Sequence, residues 1–288
     1  MAPHFFDQCS FIDIHYHADP DLYKRRYSSI DVGREYQKLN GAVVLKSHLG
    51  STAAQATIAQ REGLPVFPSL VLNKIAGGIH YRPIIRALAE YQPIIPSKMI
   101  IHLPTMTGRK HTSKLSRQLT SPLLSGELCQ PETIFNADGK LKSELDDIFK
   151  LAKDYPIVLS SGHASKEEVF ALIDACGQFD VPLLLNQPAN PLTGLSAAAL
   201  MEIAQTYPFV WTEQTALTYL LSYQDQQDFR SVLQTIPQVI YSSDLGQTSQ
   251  MDVTEWVTAS DQWFSDFSIS TTRKAEICLT NPSQLLKM

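Results

Sequence analysis

The sequence predicts a single-domain α/β chain folded as a (β/α)₈ TIM barrel, and three observations carry that expectation. Eight short apolar runs, at residues 11–14, 42–45, 66–72, 99–103, 157–159, 182–185, 209–211 and 239–241, alternate with amphipathic segments along the whole chain. Their starts fall mostly 24 to 33 residues apart, which is the length of one βα unit. The runs are almost continuous in Ile, Val, Leu and aromatic residues, as parallel strands covered on both faces require. Eight such units favour a closed barrel, because open doubly wound sheets usually have fewer strands.

The segments between the runs follow the helical period. Residues 143–152 space their apolar side chains for one buried face behind Ser143, a candidate cap. Ser165-Lys166-Glu167-Glu168 has the form of a capping box, with Leu172, Ile173 and Cys176 on one face of the helix it opens. Residues 196–207 and 225–236 are similar amphipathic stretches, and 254–267 and 271–279 read as closing helices. Between the fourth and fifth runs, residues 105–140 form a long insertion rich in Thr, Ser, Gly and Pro. Connections of that length are usually functional or disordered, so an active-site lid is expected, with a plain surface excursion as the alternative. The turn-rich stretch 187–195, with Pro188, Pro191 and Gly194, either shapes a pocket or simply ends its strand.

Composition narrows the classes of function. The 288 residues are 44% hydrophobic and 18% charged, enough to bury a sizeable core. The net charge is −5 and basic residues are scattered apart from Lys24-Arg25-Arg26, which argues against a nucleic-acid partner. Cys9, Cys129, Cys176 and Cys278 form no CxxC pair and read as thiols of a reducing compartment. No basic-then-apolar leader opens the sequence, and no apolar stretch approaches the roughly 20 residues that span a bilayer. A cytoplasmic protein without a membrane partner is expected; homo-oligomerisation is left open.

The chemistry-bearing residues cluster at the ends of the runs. In Ile12-Asp13-Ile14-His15-Tyr16-His17, alternation along a strand sends His15 and His17 to the same side. At the C-terminal end of a barrel strand that side is the interior mouth, where two neutral imidazoles suit Zn²⁺ or a similar cation. Lys46 and His48 follow the second run, His102 ends the fourth, His163 follows the fifth, Gln187 the sixth, Glu213 the seventh and Asp244 the eighth. Each alone fits a cap or a surface group, Glu213 above all. Titratable residues after so many strands nevertheless converge on one face.

By position, this pattern resembles the amidohydrolase superfamily: HxH on the first strand, His on the fifth, Asp on the eighth. The closing Asn281-Pro282-Ser283-Gln284-Leu285-Leu286 is also similar to the ending of many members, and Ser243-Asp244-Leu245-Gly246-Gln247 looks like the eighth strand of a little-characterised amidohydrolase-related group. The resemblance implies that His15, His17, His163 and Asp244 bind a divalent metal, and that Asp244 also takes a proton from metal-bound water. The sequence departs from the pattern after the fourth strand, where His102-Leu103-Pro104 replaces a bridging Lys or Glu. It departs again after the sixth, where Asn186-Gln187 replaces the usual His. Without a bridging anion two cations would repel, so one metal is expected: zinc first, with Mn, Fe or Ni as alternatives. Lys46 is read as an ammonium for a substrate carboxylate, with carbamylation to a metal bridge as the alternative.

The expected function is metal-assisted hydrolysis of an amide, lactam, lactone or cyclic imide in a small molecule. Asp244, Lys46 and His48 are the catalytic candidates, and His102, Gln187 and Glu213 the candidates for substrate contact. Two rivals remain: metal-dependent non-oxidative decarboxylation or lyase chemistry on the same barrel, and a drifted barrel that only binds a small molecule.

Overall fold

The computed structural model describes residues 5–109, 114, 115, 117–124 and 129–288. Among them the eight runs become nine strands: β1 (Phe11–Tyr16), β2 (Gly41–Leu45), β3 (Val66–Phe67), β4 (Ser69–Val71), β5 (Met99–His102), β6 (Ile157–Ser160), β7 (Leu183–Leu185), β8 (Val210–Thr215) and β9 (Val239–Ser242). All pair in parallel, in the orders β1-β2-β3 and β4-β5-β6-β7-β8-β9. The third run is split because Pro68, between β3 and β4, has no N–H to give a ladder.

Two seams separate these sheets, and both are closed. At the first, the Ser69 hydroxyl donates to the Leu45 carbonyl at 2.6 Å, the Thr52 hydroxyl donates to the same carbonyl at 3.1 Å, and the Ser69 N–H donates to Thr52 Oγ1 at 2.9 Å. At the second, the Asp244 N–H donates to the His15 carbonyl and the His17 N–H to the Leu245 carbonyl, each at 2.9 Å. The strands therefore complete the (β/α)₈ barrel that the sequence predicts.

The helices are α1 (Ser29–Lys38), α2 (Ala53–Arg61), α3 (Tyr81–Glu90), α4 (Glu144–Asp154), α5 (Lys166–Phe179), α6 (Ala197–Thr206), α7 (Ala216–Leu220), α8 (Gln226–Thr235), α9 (Val253–Asp266), α10 (Thr271–Ala275) and α11 (Asn281–Leu286). The capping box of α5 forms: Ser165 Oγ accepts from the Glu168 N–H at 3.3 Å, and Glu168 Oε2 accepts from the Ser165 N–H at 2.8 Å. Ser143 does not cap α4. Its own backbone is already helical, and its side chain makes no cap bond. The expected helix over 271–279 is also corrected, since α10 runs into a π-helical turn at Glu276–Thr280 before α11. Pro282 explains the widening: it lacks the N–H that would reach back to Cys278, and its ring crowds that carbonyl.

Apolar packing falls into two bodies. The larger lies between the barrel wall and the helices, and includes Val43, Leu45, Ile101, Leu159 and Tyr241. The smaller fills the barrel itself with Ile12, Ile14, Ala42, Val44, Phe67, Ile100, Val158, Leu184 and Ile240, and Phe6, Leu285 and Leu286 belong to the same body. The four cysteines are free thiols. No helix among the described residues is long and apolar enough to cross a membrane.

The insertion after β5 folds back toward the barrel mouth. Leu119 forms an antiparallel bridge with Tyr23. The Lys24 N–H donates to the Gln118 carbonyl at 2.9 Å, and the Glu132 N–H donates to the Met106 carbonyl at 2.8 Å. Residues 110–113, 116 and 125–128 of the expected lid lie outside the described residues.

Gly162, just past β6, has φ +58°, and a Cβ there would lie 2.1 Å from the Leu103 carbonyl oxygen. Gly63 also has positive φ, at +75°, but faces nothing within 4 Å. Gly162→Ala should therefore cost about 3 kcal/mol or more in urea unfolding, whereas Gly63→Ala should cost about 1 kcal/mol. Equal costs would show that the close approach of the β5 and β6 ends does not govern this site.

Candidate functional site

The barrel filling sets the positions of the site. Interior apolar residues Val44, Ile100, Val158, Leu184 and Ile240 are each followed two residues later by Lys46, His102, Ser160, Asn186 and Ser242. Side chains repeat their facing every second residue, so these five form a polar layer above the apolar one. All five are buried.

β1 reaches that layer by a different route. Ile12 and Ile14 point inward, while Asp13 faces outward toward Tyr36 of α1. Unbroken alternation would send His15 and His17 outward with Asp13. Instead, the β1–β2 register shifts between Asp13 and Tyr16, and Tyr16 packs in the outer body. Such an irregularity re-aims side chains, and here it turns both imidazoles into the barrel. Asp13 fixes it: one carboxylate oxygen accepts from the His15 N–H at 3.0 Å and the Ser243 N–H at 3.1 Å, and the other accepts from the Tyr36 hydroxyl. Burial raises Asp13 to about 6, against the lowering effect of these hydrogen bonds.

His15, His17 and Asp244 converge on a small triangle. His15 Nε2 lies 3.3 Å from His17 Nε2 and 3.0 Å from Asp244 Oδ1, and His17 Nε2 lies 3.3 Å from the same oxygen. Glu213 Oε1 takes the His15 Nδ1 hydrogen at 2.9 Å, which leaves the Nε2 lone pair facing inward. Two ring nitrogens and a carboxylate oxygen so close together could hold a cation between them. Ligands about 2.0–2.1 Å from a tetrahedral zinc stand about 3.3 Å apart, so the donor set and its spacing fit one divalent metal. Metal-free, a proton serves instead. Burial works against charging His15, but Asp244 and Glu213 more than reverse it and raise the group to about 9. His17 is lowered to about 4 by burial and by Arg25, which keeps it a neutral ligand.

Carboxylates stand behind both imidazoles, and one of them is hydrogen-bonded to its ring. Glu213, which the sequence placed among the substrate contacts, is buried behind His15. It also accepts from the Ser242 hydroxyl at 2.7 Å and, through Oε2, from the Gln187 N–H at 3.1 Å. Asp21 stands 3.3 Å from His17 Nδ1, off-line for a good hydrogen bond, and 3.3 Å from His48 Nδ1. It also accepts from Arg25 Nε at 2.8 Å and from the His48 N–H at 2.6 Å. His17, Asp21 and His48 form a second group with metal-ligand spacing. Arg25 already neutralises its carboxylate, so this group reads as an ion-pair network.

The remaining candidates surround the triangle. His48 stacks on His17, with ring centroids 4.8 Å apart. His163 does not join the compact triangle; its Nε2 lies 3.4 Å from the side-chain nitrogen of Gln187. His102 sits deeper, with Nδ1 2.9 Å from the Ser160 hydroxyl and a buried, unpartnered Nε2. Burial, with Lys46 nearby, lowers both His102 and His163 well below the ordinary range. Gln187 and Asp244 hold left-handed backbone, φ +38° and +52°, unusual for residues with side chains. His15, His17, Lys46, His48, His163, Gln187 and Asp244 all line one cavity of about 190 Å³, roofed in part by Thr105, Met106, Arg109 and Arg117 of the insertion.

Sequence reasoning missed Asp13 and Asp21. Asp13 lies inside the very motif that drew attention to His15, and its signal was a charged residue within an otherwise apolar strand. Asp21 had only its closeness to HxH and to Arg25.

Comparison with known proteins places the fold and the family. No curated protein matches the sequence significantly. Among solved structures, the chain is similar to a candidate 2-pyrone-4,6-dicarboxylic acid hydrolase from Pseudomonas putida, with a TM-score of 0.50 at 13% identity over 96% of each chain. It is also similar to an uncharacterised TIM-barrel protein from Bordetella bronchiseptica, with a TM-score of 0.55 at 12% identity over 96% of this chain and 97% of that one. At such identities the likeness establishes the barrel alone. A family model matches residues 10–213, from the start of β1 through Glu213, and the chain therefore belongs to DUF6282, a family of unknown function.

Proposed function

We propose that this protein is a metal-dependent hydrolase of the amidohydrolase type, acting on an amide, lactam, lactone or cyclic imide bond of a small molecule. The observation that carries the reading is the buried triangle of His15 Nε2, His17 Nε2 and Asp244 Oδ1, with edges of 3.0 to 3.3 Å. One cation, zinc by preference, would be held there. When bound, it supplies Lewis acidity and lowers the pKa of water toward neutrality.

The protein's own residues do the rest. Glu213, hydrogen-bonded to His15 Nδ1, holds that imidazole in position, and His48 stacks on His17. Asp244, on the cavity side of the triangle, accepts the proton of the attacking water and passes it to the leaving group. His48, held at the cavity by its backbone N–H bond to Asp21, meets the substrate beside His17. Gln187 and His163 meet the substrate from the β6 and β7 ends. The insertion, whose Thr105 and Met106 already line the cavity, excludes water as a lid. One of the similar barrels is described as a candidate hydrolase, and that likeness is one of fold.

The test begins with metal content. Protein expressed with supplemented zinc should carry about one equivalent, and His15→Ala and His17→Ala should lose it. Less than about 0.2 equivalents in the wild type would remove the reading. Asp244→Asn should retain more metal than either His variant, yet lose hydrolysis against a panel of lactams, lactones and cyclic imides.

Glu213→Gln separates support from ligation. It removes the carboxylate behind His15 but touches no cavity surface, so zinc affinity measured by chelator competition should fall about 10- to 100-fold. An unchanged affinity would mean that Glu213 does not orient His15.

A further inference from the structure

The polar layer contains one buried cation, Lys46, that has the buried carboxylates Glu213, Asp244 and Asp21 nearby but pairs directly with none of them. Lys46 is 2% exposed and lines the cavity, yet its ammonium donates to a single partner, Asn186 Oδ1 at 2.7 Å. Among the described residues it forms no ion pair. Arg25 and Arg109, which line the same cavity, each have one, with Asp21 and with Glu168. An ammonium carries three donors, so two remain unused where water is scarce.

Asn186 strengthens the point. Because its Oδ1 takes the Lys46 hydrogen, its Nδ2 must face elsewhere, and that nitrogen is buried without a partner. His102 Nε2, in the same layer, is likewise buried and unpartnered. A buried ammonium with unused donors and no direct ion pair is costly in a folded interior unless something fills the place. What satisfies them is an acceptor-only group with one negative charge. A carboxylate has that charge, and its four lone-pair sites match several donors at once.

We propose that Lys46, backed by Asn186, is a carboxylate-binding subsite beside the His15–His17–Asp244 triangle, so that the substrate is a carboxylic acid as well as a hydrolysable compound. This rests on the proposed function and specifies the substrate class of the same site. The acid is held by its carboxylate on Lys46 while the scissile carbonyl lies over the triangle.

The experiment is calorimetric titration of zinc-loaded protein with glutarate and benzoate, each paired with its neutral amide, glutaramide and benzamide. The acids should bind and the amides should not. Lys46→Met should weaken the acids at least about tenfold, the value of one charge-assisted hydrogen bond. Asn186→Asp supplies an internal carboxylate to the ammonium and should abolish acid binding with Lys46 still present, which keeps the inference testable if Lys46→Met fails to fold. Equal binding of acids and amides, or acid binding that survives in both variants, would overturn it. Zinc content is measured on the same samples. Zinc-loaded protein that ignores every acid sinks the subsite alone, whereas acid binding through Lys46 by protein that takes up no zinc sinks the metal reading alone.

Discussion

The site depends on a single irregularity in the first strand. β1 has to serve two incompatible phases: Ile12 and Ile14 fill the barrel, and one step later His15 and His17 must face the same interior. The shift between Asp13 and Tyr16 reconciles them, and the buried Asp13 carboxylate holds the shift by tying the His15 and Ser243 amides to the Tyr36 hydroxyl. The same bonds draw the end of β9 against β1, which brings Asp244 to the imidazoles. The hydrogen bonds that close the barrel are thus the ones that bring His15, His17 and Asp244 together.

Strain and support are distributed accordingly. Asp244 and Gln187 both hold left-handed backbone, and each is pinned by a hydrogen bond from its own N–H, to the His15 carbonyl and to Glu213 Oε2. Glu213 therefore has three tasks: it sets the His15 tautomer, anchors the loop after β7, and receives the Ser242 hydroxyl. Three of the four lone-pair sites of this carboxylate are taken, and it stands behind His15 and outside the cavity lining, a supporting place and not a substrate contact.

Much of this was legible in the sequence, for identifiable reasons. The apolar runs announce the strands because parallel barrel strands are buried on both faces. Lys46 and His102 can be placed inside by counting two residues on from Val44 and Ile100. The same count misplaces His15 and His17: extended from Ile12 and Ile14 it sends them outward, and nothing in a linear pattern reveals that the strand skips a phase. Pro68 marks the break in the third run, but not the Thr52 and Ser69 hydroxyls that mend it. Asp21 was hidden because its role is defined by partners at three separate places, His17, Arg25 and His48, that only folding brings together. His163 carries the resemblance to the superfamily by position, yet its imidazole meets Gln187, the residue that follows the strand where the usual histidine is missing.

The apolar filling below the polar layer has a consequence for traffic. With Ile14, Val44, Ile100, Val158, Leu184 and Ile240 at most 1% exposed, and Phe6 and Leu286 at 0%, the barrel is packed shut below the polar layer among the described residues. Under the hydrolysis proposed above, a molecule that enters past Arg117 and Met106 would leave by the same side, and its two fragments would depart in sequence. The fragment nearer the rim would go first, and the one nearer the floor would wait its turn.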